Sequence, residues 1–197
     1  MEKMDKKVQD HGVVTKHLSN VTGQLATFLG KVLPPLYDDW WNKAVVNNLS
    51  YQQKRRLEQH NITTLRGLDL AGLLRVIDQN WYQLSTSLGL TSEVRHFVKE
   101  MQTVRNRWAH ASMEGFHPED IYRDLDTVQR FSMVIGADDK LIQELRDSKA
   151  ALLTRETQST LKEGVSAPPE TKDENKSDAT EFEPGQLVFV KSNPTSH

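Results

Sequence analysis

Leu70, Leu73, Leu74, Ile77, Trp81, Leu84 and Leu88 fall three or four residues apart. That step winds one apolar stripe along a single face of an α-helix, and such a stripe must be covered by other elements. It predicts one unbroken helix over Asp69–Leu88, closed by Gly89, and commits the chain to helix-on-helix packing.

The same step recurs on both sides. Val14, Leu18, Val21, Leu25, Phe28, Leu29 and Val32 predict a helix over Val13–Val32. Pro34-Pro35 stops it, because a proline disfavours helix at the residue before it and donates no N–H. A helix carrying Trp40, Trp41, Val45 and Val46 is predicted over Tyr37–Leu49. Ser50, with Gln53 three residues on, reads as a capping box opening a short helix that ends near His60-Asn61. Beyond Thr91 or Ser92, the residues Val94, Phe97, Val98, Met101, Val104 and Trp108 mark the buried side of a helix that runs to about His110. His117-Pro118-Glu119-Asp120 opens the next, since proline suits a first turn and acids suit the dipole there. It carries Ile121, Leu125, Val128, Phe131 and Ile135, and Gly136 ends it. Asp138-Asp139 caps a last helix of about Lys140–Thr157. The expected fold is an all-α helical bundle over residues 13–157.

The flanks read differently. Residues 1–12 are polar and charged and are expected to fray. Ser, Thr, Pro, Lys, Asp and Glu dominate residues 158–183, a composition that predicts a disordered linker. Pro184-Gly185 followed by alternating β-formers through Lys191 reads as a first strand, so residues 184–197 are expected to be the start of a truncated β-rich domain. The overall hydrophobic share of 37% is low because of these ends. A net charge of −2 argues against a whole-chain polycation, yet leaves room for a local basic site. The absence of cysteine excludes disulfides and thiolate metal sites, and makes a reducing cytoplasm the expected compartment. No stretch approaches the roughly 18 apolar residues of a membrane span, and no apolar region follows Met1–Asp10 to make a signal peptide.

The string Val104-Arg105-Asn106-Arg107-Trp108-Ala109-His110 could carry chemistry. Residues four apart share a helix face, so Asn106 and His110 are expected to point the same way, with Arg105 about 100° round the helix. Together they offer a fixed cation, an amide and an imidazole that titrates near physiological pH, a set suited to a phosphodiester. The plainer reading is a helix C-terminal turn, where Arg and His complement the dipole and need no other role. Trp40, Trp41, Trp81 and Trp108, at helical spacing among leucines, read as core or dimer contacts rather than base-stacking platforms. Lys54-Arg55-Arg56 could touch RNA, but reads first as a solvated helix face. His60, His96 and His117 lack metal-ligand spacing, so no metal site is expected. Asp38-Asp39 and Asp138-Asp139 are explained as caps. No Gly-rich phosphate loop occurs.

Arg105-Asn106-x-x-x-His110 fits the motif of HEPN domains, an Arg followed after four to six residues by a His, often with a polar residue straight after the Arg. The spacing recurs at Arg55 and His60, where Arg56 replaces the polar residue. The setting of the first match is more specific. Trp81-Tyr82, the run from Lys99 through His110, and Leu68 through Val76 are similar to a HEPN branch. That branch occurs in a nuclear mRNA-surveillance endonuclease and at the front of bacterial defence and helicase-type proteins. The resemblance covers roughly residues 36–145. The Pro184–Pro194 tail resembles, over a short stretch, the segment before a Swi/Snf-type helicase core.

The resemblance implies an up-and-down bundle that forms a homodimer, with two motifs meeting in one RNA-cutting site that needs no metal or other cofactor. His110 would be the general acid or base, Arg105 would stabilise charge on the phosphate, and Asn106 would position substrate or His110. Arg107 and Lys99 would add RNA contacts. The implied function is a metal-independent endoribonuclease in phage defence or stress response. The alternative is a non-catalytic module that dimerises, binds RNA or docks a helicase-type protein. A third is a toxin-like regulator silenced by a partner.

Overall fold

The computed structural model describes residues 2–110 and 116–164, so the β segment expected at 184–197 and most of the expected linker lie outside the described residues. Every regular element described is helical: α1 (Glu2–Val32), α2 (Tyr51–Gln59), α3 (Leu70–Gln79), α4 (Trp81–Leu88), α5 (Ser92–Ala109), α6 (Pro118–Val134) and α7 (Asp139–Gly164). Most of the stripe residues form one continuous core, with Leu25, Leu29, Leu73, Leu74, Leu84, Met101 and Phe131 fully enclosed, while Leu88 at the end of its stripe is exposed. Burial of each such side chain contributes about 1.5–3 kcal/mol.

Helix α1 packs against α3, α5, α6 and α7, which makes it the element around which the bundle closes. Polar pairs show how neighbours run. Asp10 meets Arg155, His17 meets Ser148 and Gln24 meets Asp138, so α1 and α7 are antiparallel. Lys99 meets Asp78, Gln102 meets the Leu74 carbonyl and Arg105 meets Asp69, so α3 and α5 are antiparallel too.

Four boundaries depart from the expectation. The first helix begins at Glu2 rather than Val13, and Asp10 is buried under α7, where Arg155 Nη2 donates to its Oδ1 at 2.7 Å. The last helix continues past Thr157 to Gly164. The helix expected over Tyr37–Leu49 is instead a π turn at Trp41–Val45 and a 3-10 turn at Val46–Asn48. The cause is side-chain competition: Asn48 Nδ2 donates to the Lys43 and Ala44 carbonyls, and Asn80 Nδ2 also donates to the Ala44 carbonyl at 2.8 Å. Finally, the helix expected over Asp69–Leu88 breaks at Asn80. That residue is buried, with φ −94° and ψ 14°. Its amide donates to the Val76 carbonyl at 2.7 Å and accepts from the Tyr37 hydroxyl at 2.7 Å.

Several ends follow the sequence closely. Ser50 and Gln53 form both halves of the capping box. Gly136 has φ +63° and closes α6 in a Schellman motif, with Ala137 N–H on the Ser132 carbonyl and Gly136 N–H on that of Met133. Asn61, at φ +49°, closes α2 in the same way. No helix among the described residues is long and apolar enough to cross a membrane.

Candidate functional site

The last two turns of α5 carry the sequence-predicted residues, and the core sets their directions. Val104 and Trp108 face inward, which turns Arg105 to a half-buried position and leaves Asn106 exposed. Arg105 Nη1 donates to Asn106 Oδ1 at 3.2 Å, and Arg105 Nη2 lies 3.8 Å from Asp69 Oδ2. Asp69 is the N-cap of α3. Its Oδ1 accepts from the Gly72 N–H at 2.8 Å while its Oδ2 faces both Arg105 and Arg56, the latter at 3.3 Å.

His110 is the C-cap of α5, exposed, with φ −115° and ψ 15°. Among the described residues its side chain makes no hydrogen bond or ion pair. The structure therefore joins Arg105 to Asn106 and leaves His110 one turn further on, at the end of the helix.

Arg107 points to the other side of α5. Its Nη1 donates to both carboxylate oxygens of Asp124 on α6, at 3.1 and 3.2 Å. Trp108 Nε1 donates to Asp124 Oδ2 at 2.7 Å, and the indole stacks at a tilt on Phe116, with centroids 4.4 Å apart. Burial pushes the Asp124 carboxyl above its ordinary range, against the opposing pull of the Trp108 hydrogen bond and the Arg107 charge. This cluster locks the end of α5 onto α6. Trp40, Trp41 and Trp81 are partly buried against the core, as expected of packing residues.

On the face opposite Arg107, α2, α3 and α5 enclose two adjoining open grooves of about 350 and 360 Å³ that share Ser50, Gln53, Ala71 and Arg105. Lys99 lies in the second, ion-paired with Asp78, and Arg95 Nε lies 3.6 Å from the same carboxylate. Arg75 lies there too, its Nε donating to the Asn48 carbonyl at 2.7 Å. The sequence points to no role for Arg75 or Asp78, and for Arg56 it favours a solvated face over an RNA contact. A signal was present: Ala71, Arg75 and Asp78 stand four and three residues apart, on the side of α3 that flanks its leucines, and Arg75 and Asp78 are its only charged residues. Among the described residues no group of three or more His, Asp and Glu side chains could hold a metal ion.

The sequence model of the family described as Swt1-like HEPN matches residues 16–136 of the chain, a span that runs from the middle of α1 through α6 and takes in every residue of the Arg105–His110 motif. No curated protein and no solved structure matches the chain.

Proposed function

The chain belongs to the Swt1-like HEPN family, and from that premise we propose that it is a metal-independent endoribonuclease acting as a homodimer. HEPN domains commonly bind RNA and dimerise. The 2′-hydroxyl of one nucleotide attacks the adjacent phosphorus, the bond to the 5′-oxygen breaks, and the products carry a 2′,3′-cyclic phosphate and a 5′-hydroxyl. His110 moves the proton, taking it from the attacking hydroxyl or giving it to the leaving oxygen. Arg105 stabilises the charge that builds on the phosphate oxygens. Asn106, bonded to Arg105, positions that guanidinium or the ribose. Lys99 and Arg107 add phosphate contacts, Arg107 through the nitrogens that Asp124 leaves free.

The observation that carries this reading is Arg105 at the junction of the two grooves, half-buried and preorganised by Asn106 and Asp69. A guanidinium held in place before substrate arrives loses little on binding a phosphate. The second reading is a non-catalytic module that dimerises and binds RNA. It is favoured by the carboxylate already paired with Arg105 and by the lack, among the described residues, of a side-chain hydrogen bond from His110 to either of the other two.

An RNA cleavage assay in EDTA separates the two. Cutting by the wild type, with cyclic phosphate ends, and loss of cutting by about a hundredfold or more in Arg105→Ala and His110→Ala is the expected result. Equal cutting by all three would sink the assignment of these residues. No cutting of structured or single-stranded RNA by any of them would establish the module reading.

A further inference from the structure

The two adjoining grooves form one trough across α2, α3 and α5, and the residues lining it include Arg56, Arg75, Lys99 and Arg105 against the carboxylates of Asp69 and Asp78. We infer that this trough binds a single strand of RNA through its phosphodiester backbone, extending the substrate site well beyond the Arg105–His110 motif. The inference rests on the reading of the chain as an RNA-acting domain and names where and how the strand is held.

Charge and geometry support it together. Each carboxylate serves two cations: Asp69 faces Arg56 and Arg105, and Asp78 faces Lys99 and Arg95. The acids thus fix the cations in place without cancelling them. The Arg56–Asp69 pair is exposed on both sides and weak enough for phosphate oxygens to compete for, and Lys99 and Arg95 stand half exposed over the nearly buried Asp78. Arg75 is set differently. Its Nε is tied to the Asn48 carbonyl, and its two terminal nitrogens have no partner among the described residues. A guanidinium anchored at one edge and open at the other is prepared for an anion.

The spacing argues for a chain of phosphates rather than a single one. Lys99 and Arg105 are six residues apart on α5, a rise of about 9 Å, further than one phosphate group reaches. Arg56 and Arg75 come from two other helices and widen the charged span across the trough. Between the cations stand the amides of Gln53, Gln102 and Asn106. Such groups both donate and accept, as recognition of a ribose 2′-hydroxyl requires. Among the described residues no aromatic side chain lines either groove, so base stacking is not part of the site they form. Binding is therefore tolerant of sequence and steeply salt-dependent.

The test is binding of a short unstructured fluorescent RNA to the full chain in EDTA, followed by anisotropy over a salt series. The proteins are the wild type, Arg75→Gln, Lys99→Glu and the double variant. Arg75 also braces Asn48, so Arg75→Gln could fail to fold. Lys99 is half exposed, and its partner Asp78 also faces Arg95, so Lys99→Glu leaves that carboxylate a cation and keeps the question open to refutation. Each substitution frees one phosphate and is expected to flatten the slope of log affinity against log salt by about 0.7, with the double variant about tenfold weaker. Unchanged affinity and slope in Lys99→Glu and Arg75→Gln would place RNA elsewhere, and failure of the wild type to bind would overturn the trough as an RNA site. Displacement of the RNA by polyglutamate at equal charge concentration would make the trough a docking surface for acidic protein segments, and would also overturn it. RNA held through Arg75 and Lys99 by a protein that cuts nothing would leave this inference standing while the nuclease reading falls.

Discussion

Asp124 shows how much one side chain can decide. It lies 16 residues from Trp108 in sequence, yet its two oxygens take the Trp108 indole N–H and the Arg107 guanidinium. The carboxylate therefore fixes the helix end from which Arg105, Asn106 and His110 are presented. Asp124→Leu strands the buried indole N–H, which costs about 1–3 kcal/mol, whereas Asp124→Asn keeps an acceptor and is expected to cost less. Urea unfolding midpoints measure the difference, and equal midpoints for the wild type and Asp124→Leu would remove Asp124 from this role. The two ends of the motif also differ at this scale. Arg105 is held by two partners, and the His110 side chain by none among the described residues, because only the former sits where α2 and α3 come close to α5.

Among the elements, the turn region between α1 and α2 and the break between α3 and α4 are two sides of one device. Asn80 reaches back to the Ala44 carbonyl and takes the Tyr37 hydroxyl, so one buried amide satisfies the irregular backbone before α2 and interrupts the leucine stripe. Asn80→Ala would take the acceptor from the part-buried Tyr37 hydroxyl and leave the Ala44 carbonyl with Asn48 Nδ2 alone, at about 1–3 kcal/mol. Tyr37→Phe, which removes one member of the network, is expected to cost about 1 kcal/mol. Thermal unfolding should rank them in that order, and a Tyr37→Phe loss as large as that of Asn80→Ala would show that the hydroxyl, not the amide, organises the region. No periodicity reports such a break, since the apolar residues before and after Asn80 stay in phase. The steps of four and three from Ile77 through Trp81 to Leu84 look continuous on paper while the chain turns a corner in space.

Over the molecule as a whole, α1 and α7 close the bundle through pairs more than 100 residues apart in sequence. His17 is one of them, with Nε2 2.9 Å from Ser148 Oγ and Nδ1 buried without a partner. Burial first, and the Lys16 charge second, hold its pKa below the ordinary 6.5, with Glu144 pulling the other way. A histidine depressed in the folded state takes up its proton more readily when unfolded, so the unfolded form gains as pH falls. The stability tied to His17 is fully present above pH 6.5 and is lost as pH falls from there through the folded-state value. His17→Gln keeps a hydrogen bond to Ser148 and cannot titrate. Its unfolding free energy should therefore vary less between neutral and mildly acidic pH than that of the wild type, and parallel pH profiles would refute the linkage. The sequence by itself determined the helical class, the core residues, the capping box at Ser50, the glycine ends and the family motif at Arg105, Asn106 and His110, because these are local signals read within a turn or two of helix. Only the tertiary structure decided that Asn80 breaks a helix, that Asp10 is buried, that Arg107 faces Asp124, and that Arg75 and Arg56 share a trough with Arg105. Each of those depends on a partner from a distant stretch of chain, and side-chain hydrogen bonds and ion pairs across a bundle leave no period in the sequence.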